Sequence, residues 1–143
     1  MEILNLNRLD TQKMQQVERL LLLLSPSSEA LNLERLNRLL AEGHLTLFVA
    51  EDENKDIVGI LSLCICPTLS KDKVWIEDVV VDEKYRGYGI GHKLVKAAIA
   101  YAKSNYSVAM IYLTSNPTRK AARALYTSEG FEEYETGVFR MKL

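Results

Sequence analysis

The chain has 143 residues, 48% hydrophobic and 26% charged, which suits one domain spanning 1–143 around one well-buried core. A formal net charge of −1 gives no bulk attraction to nucleic acid or an anionic membrane, so neither is expected as a partner. The apolar run Leu20 to Leu24 is too short to cross a bilayer, and Met1-Glu2-Ile3-Leu4-Asn5 lacks the pattern of a secretory signal, so the expected location is cytoplasmic.

Ile3 to Leu6 predicts a short first strand. Asp10 or Thr11 caps a helix whose stripe is Met14, Val17, Leu20, Leu21 and Leu24, spaced three and four apart. Ser25-Pro26-Ser27-Ser28 ends it. A second helix carries Leu33, Leu36, Leu39 and Leu40 and stops at Gly43. The period then changes. His44 to Ala50 and Ile57 to Cys66 read as strands around the polar turn 51–56, and Lys73 to Val81 continues the antiparallel meander. Cys64 and Cys66 share one strand face without metal-ligand partners nearby, and read as buried reduced thiols.

A long helix is predicted over 89–104, burying Gly91, Leu94, Val95, Ala98 and Ala102, followed by a strand from Val108 to Thr114. Pro117 suits the first turn of a helix that carries Ala121, Ala122, Leu125 and Tyr126 and closes at Gly130. Phe131 to Glu135 and Val138 to Leu143 read as two final strands. The order β-α-α-β-β-β-α-β-α-β-β is that of an α/β domain, a mixed sheet with helices on its faces. Its crossover from 73–81 through 89–104 to 108–114 is expected to form a right-handed βαβ unit.

The chemistry concentrates where the third meander strand meets the long helix, at Val79-Val80-Val81-Asp82-Glu83-Lys84-Tyr85-Arg86-Gly87-Tyr88-Gly89-Ile90-Gly91-His92. Glycines at 87, 89 and 91 strip side chains from the loop, so backbone N–H groups can meet a ligand closely. The helix behind adds its unpaired N–H groups and the positive end of its dipole. That combination is a pyrophosphate cradle. It is not a P-loop, because Gly91 is followed by His92-Lys93-Leu94 and not by Lys-Ser/Thr. Nor is it the dinucleotide fingerprint, since the spacing is G-x-G-x-G.

The remaining pattern, R-x-x-G-x-G read as Arg86, Gly89 and Gly91, resembles the acetyl-CoA signature of the Gcn5-related N-acetyltransferases, the GNAT superfamily. The segment Ser115 to Phe131 resembles that family's closing cofactor segment, with an Asn at a strand end and an aromatic-x-x-x-Gly-Phe ending. The resemblance implies the GNAT fold and acetyl-CoA as acetyl donor. It implies that backbone groups of Val79, Val80 and Val81 pair with the pantetheine arm. The pyrophosphate then rests on the loop of Arg86, Gly87, Tyr88, Gly89, Ile90, Gly91 and His92. Asn116 would hydrogen-bond the pantetheine or cap the following turn, and Tyr126 would sit near the acetyl sulfur as general acid.

The implied reaction is direct attack of a neutral amine on the thioester. Glu77, two residues before Val79, is the expected general base; it shares the face of Val79 if the strand is regular. Asp78 faces the other way unless a β-bulge reverses the assignment. No Ser/His/Asp or Cys/His arrangement suggests a covalent route. The expected acceptor is a primary amine of a small molecule. A protein or peptide amine, or a non-catalytic acyl-CoA-binding regulatory module, are the alternatives. The resemblance also brings a homodimer as the oligomeric expectation.

Overall fold

The computed structural model describes residues 1–107 and 110–143. Its elements follow the chain as β1 (Glu2–Leu6), α1 (Thr11–Leu24), α2 (Leu33–Glu42), β2 (Leu45–Glu51), β3 (Ile57–Pro67), β4 (Asp72–Val81), α3 (Ile90–Asn105), β5 (Ile111–Tyr112) and α4 (Lys120–Ser128). This is the expected order through α4. Local chemistry accounts for the helix ends. The Asp10 side chain accepts from the Lys13 N–H to cap α1, Asn32 accepts from Arg35 to cap α2, and Gly43 closes α2 at φ 76°.

The sheet runs β1-β2-β3-β4-β5, antiparallel up to β4 and parallel between β4 and β5. Helices cover both faces. On one side Val17 and Leu20 of α1 and Leu40 of α2 pack on Leu47, Val49, Ile60 and Val80. On the other, Leu94, Val95 and Ala98 of α3 pack on Phe48, Leu61, Leu63, Val74 and Ile76. β2 and β3 are therefore buried from both sides and read as continuous apolar runs.

Three stretches differ from expectation. The strand expected from Val108 to Thr114 is ordered as β5 only at Ile111–Tyr112; Val108 and Ala109 lie outside the described residues. The expected helix start at Pro117 is a turn instead, and α4 begins at Lys120. No helix or strand follows α4, so the strands expected at 131–135 and 138–143 are absent among the described residues. A strand needs a ladder partner, and β5 offers only two paired residues. From Glu132 onward every residue is exposed. Cys66 is exposed as well, and Cys64 only partly covered, so the expected buried pair does not exist.

Gly91 serves packing and not conformation. A Cβ built on it would stand 2.6 Å from Leu125 Cδ1, so an added methyl group would have to push the end of that side chain aside. Gly91→Ala is predicted to cost at most about 1 kcal/mol, because the end of the Leu125 side chain can turn away from the added methyl group. Urea denaturation of Gly91→Ala, Leu125→Ala and the double variant should show the pair costing less than the sum of its parts.

Candidate active site

β4 contains one residue more than its partner. Ile60 pairs with Val80 and Ser62 with Glu77, so two steps on β3 match three on β4. The extra residue is taken up at Asp78, whose φ of 53° lies in the left-handed region. Aspartate tolerates that region better than most side chains. The bulge reverses the alternation: Ile76, Val79 and Val81 all pack toward α3, while Val80 packs toward α1 and α2. Glu77 and Val79 are therefore on opposite faces, which corrects the regular-strand expectation.

A second irregularity opens the sheet. β4 and β5 pair only at Val74 with Ile111 and Trp75 with Tyr112. Beyond that point the two chains part. The gap is a cavity of about 180 Å³ lined by Leu24, Ile76, Glu77, Asp78, Val79, Leu113, Thr114, Arg119 and Tyr126. The two candidate catalytic residues, Glu77 and Tyr126, thus line one space although 49 positions separate them in the sequence.

The loop beyond Val81 is held from outside. Arg19 of α1 reaches Asp82 at 2.5 Å, and the Tyr85 hydroxyl donates to Asp52 at 2.8 Å. Those partners keep the Asp82 and Asp52 carboxyls below their ordinary values. Arg86 turns back on its own loop, its Nε donating to the Val81 carbonyl at 3.1 Å and its guanidinium lying 3.8 Å from Glu83. Its side chain braces the loop's exit from β4. Tyr88 is exposed, and Ile90 is a core residue that anchors the start of α3.

Gly89 caps α3 in the left-handed region, at φ 75°, and no side chain caps the helix. Lys93 makes the first intrahelical bond, to the Gly89 carbonyl, so the N–H groups of Ile90, Gly91 and His92 have no helical acceptor. Gly87 and Gly89 have nothing within 4 Å of where a Cβ would stand. A bare, open backbone in front of an uncapped helix N-terminus fits a pyrophosphate. His92 contributes its backbone there, because its ring is committed elsewhere: Nδ1 lies 2.6 Å from Glu129 at the end of α4. Asn116 Oδ1 accepts from the Thr118 N–H and hydroxyl, so its side chain shapes the turn before α4.

Electrostatics divides the cavity into a basic and an acidic group. Burial, then the neighbouring charge of Asp78, pushes the Glu77 carboxyl above the ordinary carboxylate range. Burial also raises the Tyr126 phenol, partly offset by the positive charge of Arg119, so the phenol keeps its proton at neutral pH. Cys64 is pushed up to about 11 by burial and by Glu77 and Asp78, which leaves its thiol protonated and a poor nucleophile. Ser62, Thr114 and Arg119 escaped sequence reading. Each enters the site only through strand register or the parting of β4 from β5.

A model of the acetyltransferase (GNAT) family matches residues 12–131. The chain belongs to that family. It is 32% identical over 81 residues to a spermine/spermidine N(1)-acetyltransferase of Bacillus subtilis, a match covering 54% of this chain and 53% of that protein. The match thus spans about half the length of that relative. Among solved structures, a putative acetyltransferase from Agrobacterium tumefaciens is 28% identical, with a TM-score of 0.77 and full coverage of both chains. An aminoglycoside acetyltransferase from an uncultured soil sample, solved with trehalose, is 26% identical at a TM-score of 0.86, covering 99% of this chain and 95% of that one.

The raised carboxyl of Glu77 has a consequence for stability. A group whose proton is held more tightly in the folded state contributes stability below its unfolded pKa, and that contribution is lost as pH rises through the folded value. Glu77→Gln, which carries no charge, is therefore predicted to unfold at higher urea than the parent at about pH 7. The gap should close on acidification toward about pH 4.

Proposed function

We propose that this GNAT-family chain is an acetyl-CoA-dependent N-acetyltransferase acting on a primary amine of a small, cationic molecule. The observation that carries the reading is the single cavity holding Glu77, Asp78 and Tyr126 where β4 parts from β5, immediately before an open glycine cradle at an uncapped helix. Val79, Val80 and Val81 would offer backbone groups to the pantetheine arm along the parted edge. Gly87 to His92 would hold the pyrophosphate through backbone N–H groups. Acetyl-CoA would supply an activated thioester.

The residues divide the proton traffic. As the amine nitrogen forms its bond to the acyl carbon, its proton passes to Glu77, directly or through water. As the carbon–sulfur bond breaks, the Tyr126 hydroxyl gives its proton to the departing thiolate. A phenol above pKa ~10 is fully protonated at neutral pH and still within reach of a thiolate whose conjugate acid is near ~8.5. An N–H of the parted strand near Val79 would stabilise the developing oxyanion.

A cationic acceptor suits the acidic pair Glu77 and Asp78. Beside them on β4, Trp75 stacks on Tyr112 with centroids 5.1 Å apart, and Lys73 Nζ lies 5.9 Å from the Tyr112 centroid. The Tyr112 face is already taken by that ammonium, so the acidic pair carries the preference for a cation. The names of the relatives, which include spermine, spermidine and aminoglycosides, support the same chemical class.

The test is thiol release from acetyl-CoA across a panel of small amines, with Tyr126→Phe alongside. Turnover should fall about 100-fold in the variant, on the scale of a lost general acid, while acetyl-CoA binding is retained. Equal turnover in the two proteins would remove Tyr126 from the chemistry. Acetyl-CoA binding without turnover on any amine, peptides included, would make the chain a binding module.

A further inference from the structure

Ser62 lies on β3, 2% exposed, and is the register partner of Glu77. Its hydroxyl does not point at Glu77's carboxylate. It donates to Asp78 Oδ2 at 2.7 Å, across the bulge. Asp78 needs such a tether, because its left-handed backbone is adopted against a steric cost. The same bond decides where the Asp78 carboxylate stands. Regular alternation would send it to the face opposite Glu77; the bulge and the Ser62 hydroxyl bring it to the same face and into the same cavity.

We propose that Ser62 is a positioning residue of the acetyl transfer: its hydroxyl fixes the Asp78 carboxylate beside Glu77 and so makes Glu77 the base that receives the amine proton. This rests on the function proposed above. Two carboxylates held together do not share the same proton affinity, and the one that keeps its proton more tightly is the better base near neutrality. The other groups facing Glu77 do not supply this effect. Cys64 on β3 is protonated, α1 contributes only Leu24, and Tyr126 is neutral. Arg119, a cation lining the cavity, carries the wrong charge to favour a protonated carboxyl. Burial comes first in favouring protonation of Glu77, Asp78 is the neighbouring charge that adds to it, and Ser62 holds that charge in place.

The experiment titrates the Glu77 side-chain carboxyl by carbon-13 NMR in the parent, Ser62→Ala, Ser62→Thr and Asp78→Asn, using Glu77→Gln to assign the signal. The midpoint is expected to move down in Ser62→Ala but to stay above the ordinary glutamate value, because burial still holds it up. It should return toward the parent in Ser62→Thr, which restores the hydroxyl. Asp78→Asn keeps an acceptor for Ser62 but removes the charge, and should reproduce the downward move even if Ser62→Ala fails to fold. In parallel, the acidic limb of kcat/KM should shift down with the carboxyl, and kcat should fall while KM for acetyl-CoA is unchanged. An unmoved Glu77 midpoint in Asp78→Asn, or in a folded Ser62→Ala, would overturn the proposal. The titration needs no turnover: a shifted midpoint in a protein that acetylates nothing would uphold the geometry and sink the enzymatic reading alone.

Discussion

Everything at the site follows from the demand that β4 pair on one edge and part on the other. Along β3 it holds a ladder from Pro67–Asp72 to Gly59–Val81, interrupted by a single extra residue. Along β5 it pairs only at Val74 and Trp75. The parted edge offers backbone groups that the fold itself leaves without a strand partner, and unpaired backbone polar groups seek a ligand or water. The bulge places an acidic pair beside the gap. Because Val80 reaches into one core and Val79 and Val81 pack toward the other, β4 is clamped between two helical layers while it does this.

The loop that follows is ordered by charges that point away from it. Arg19 on Asp82 and Tyr85 on Asp52 tie its entry to α1 and to the β2–β3 turn, and His92 on Glu129 ties the start of α3 to the end of α4. The concave side is left to backbone N–H groups. A preorganised cradle binds an anion with little ordering cost, since its donors are already placed. That role needs glycine at 89 for its positive φ, while the bare Cα at 91 leaves room for the end of the Leu125 side chain of α4.

The parts that were legible in the sequence are those set by local chemistry. The helix stripes, the Asp10 and Gly43 caps, the apolar run of β3 and the glycine loop each depend on neighbours within a few positions. The resemblance carried Tyr126 and Glu77 to positions that the fold brings into one cavity. What was illegible depends on partners far along the chain. Regular alternation placed Glu77 with Val79, and only the pairing of Ser62 with Glu77 reveals the offset. The bond from the Arg86 side chain to the Val81 carbonyl likewise left no mark on the sequence. The strands expected at 131–135 and 138–143 are missing among the described residues because a strand forms only where a ladder accepts it.

The central claim is that the parted edge of β4 and the bare loop before α3 receive the acyl-donor together. Backbone hydrogen exchange with and without acetyl-CoA tests it most directly, because exchange reports on the N–H groups themselves. The account predicts slowed exchange at residues 79–81 and 87–92 on adding acetyl-CoA, with the pantetheine-proximal protection lost when only adenosine 3′,5′-bisphosphate is added. Protection confined to other elements, or none at either segment, would contradict it.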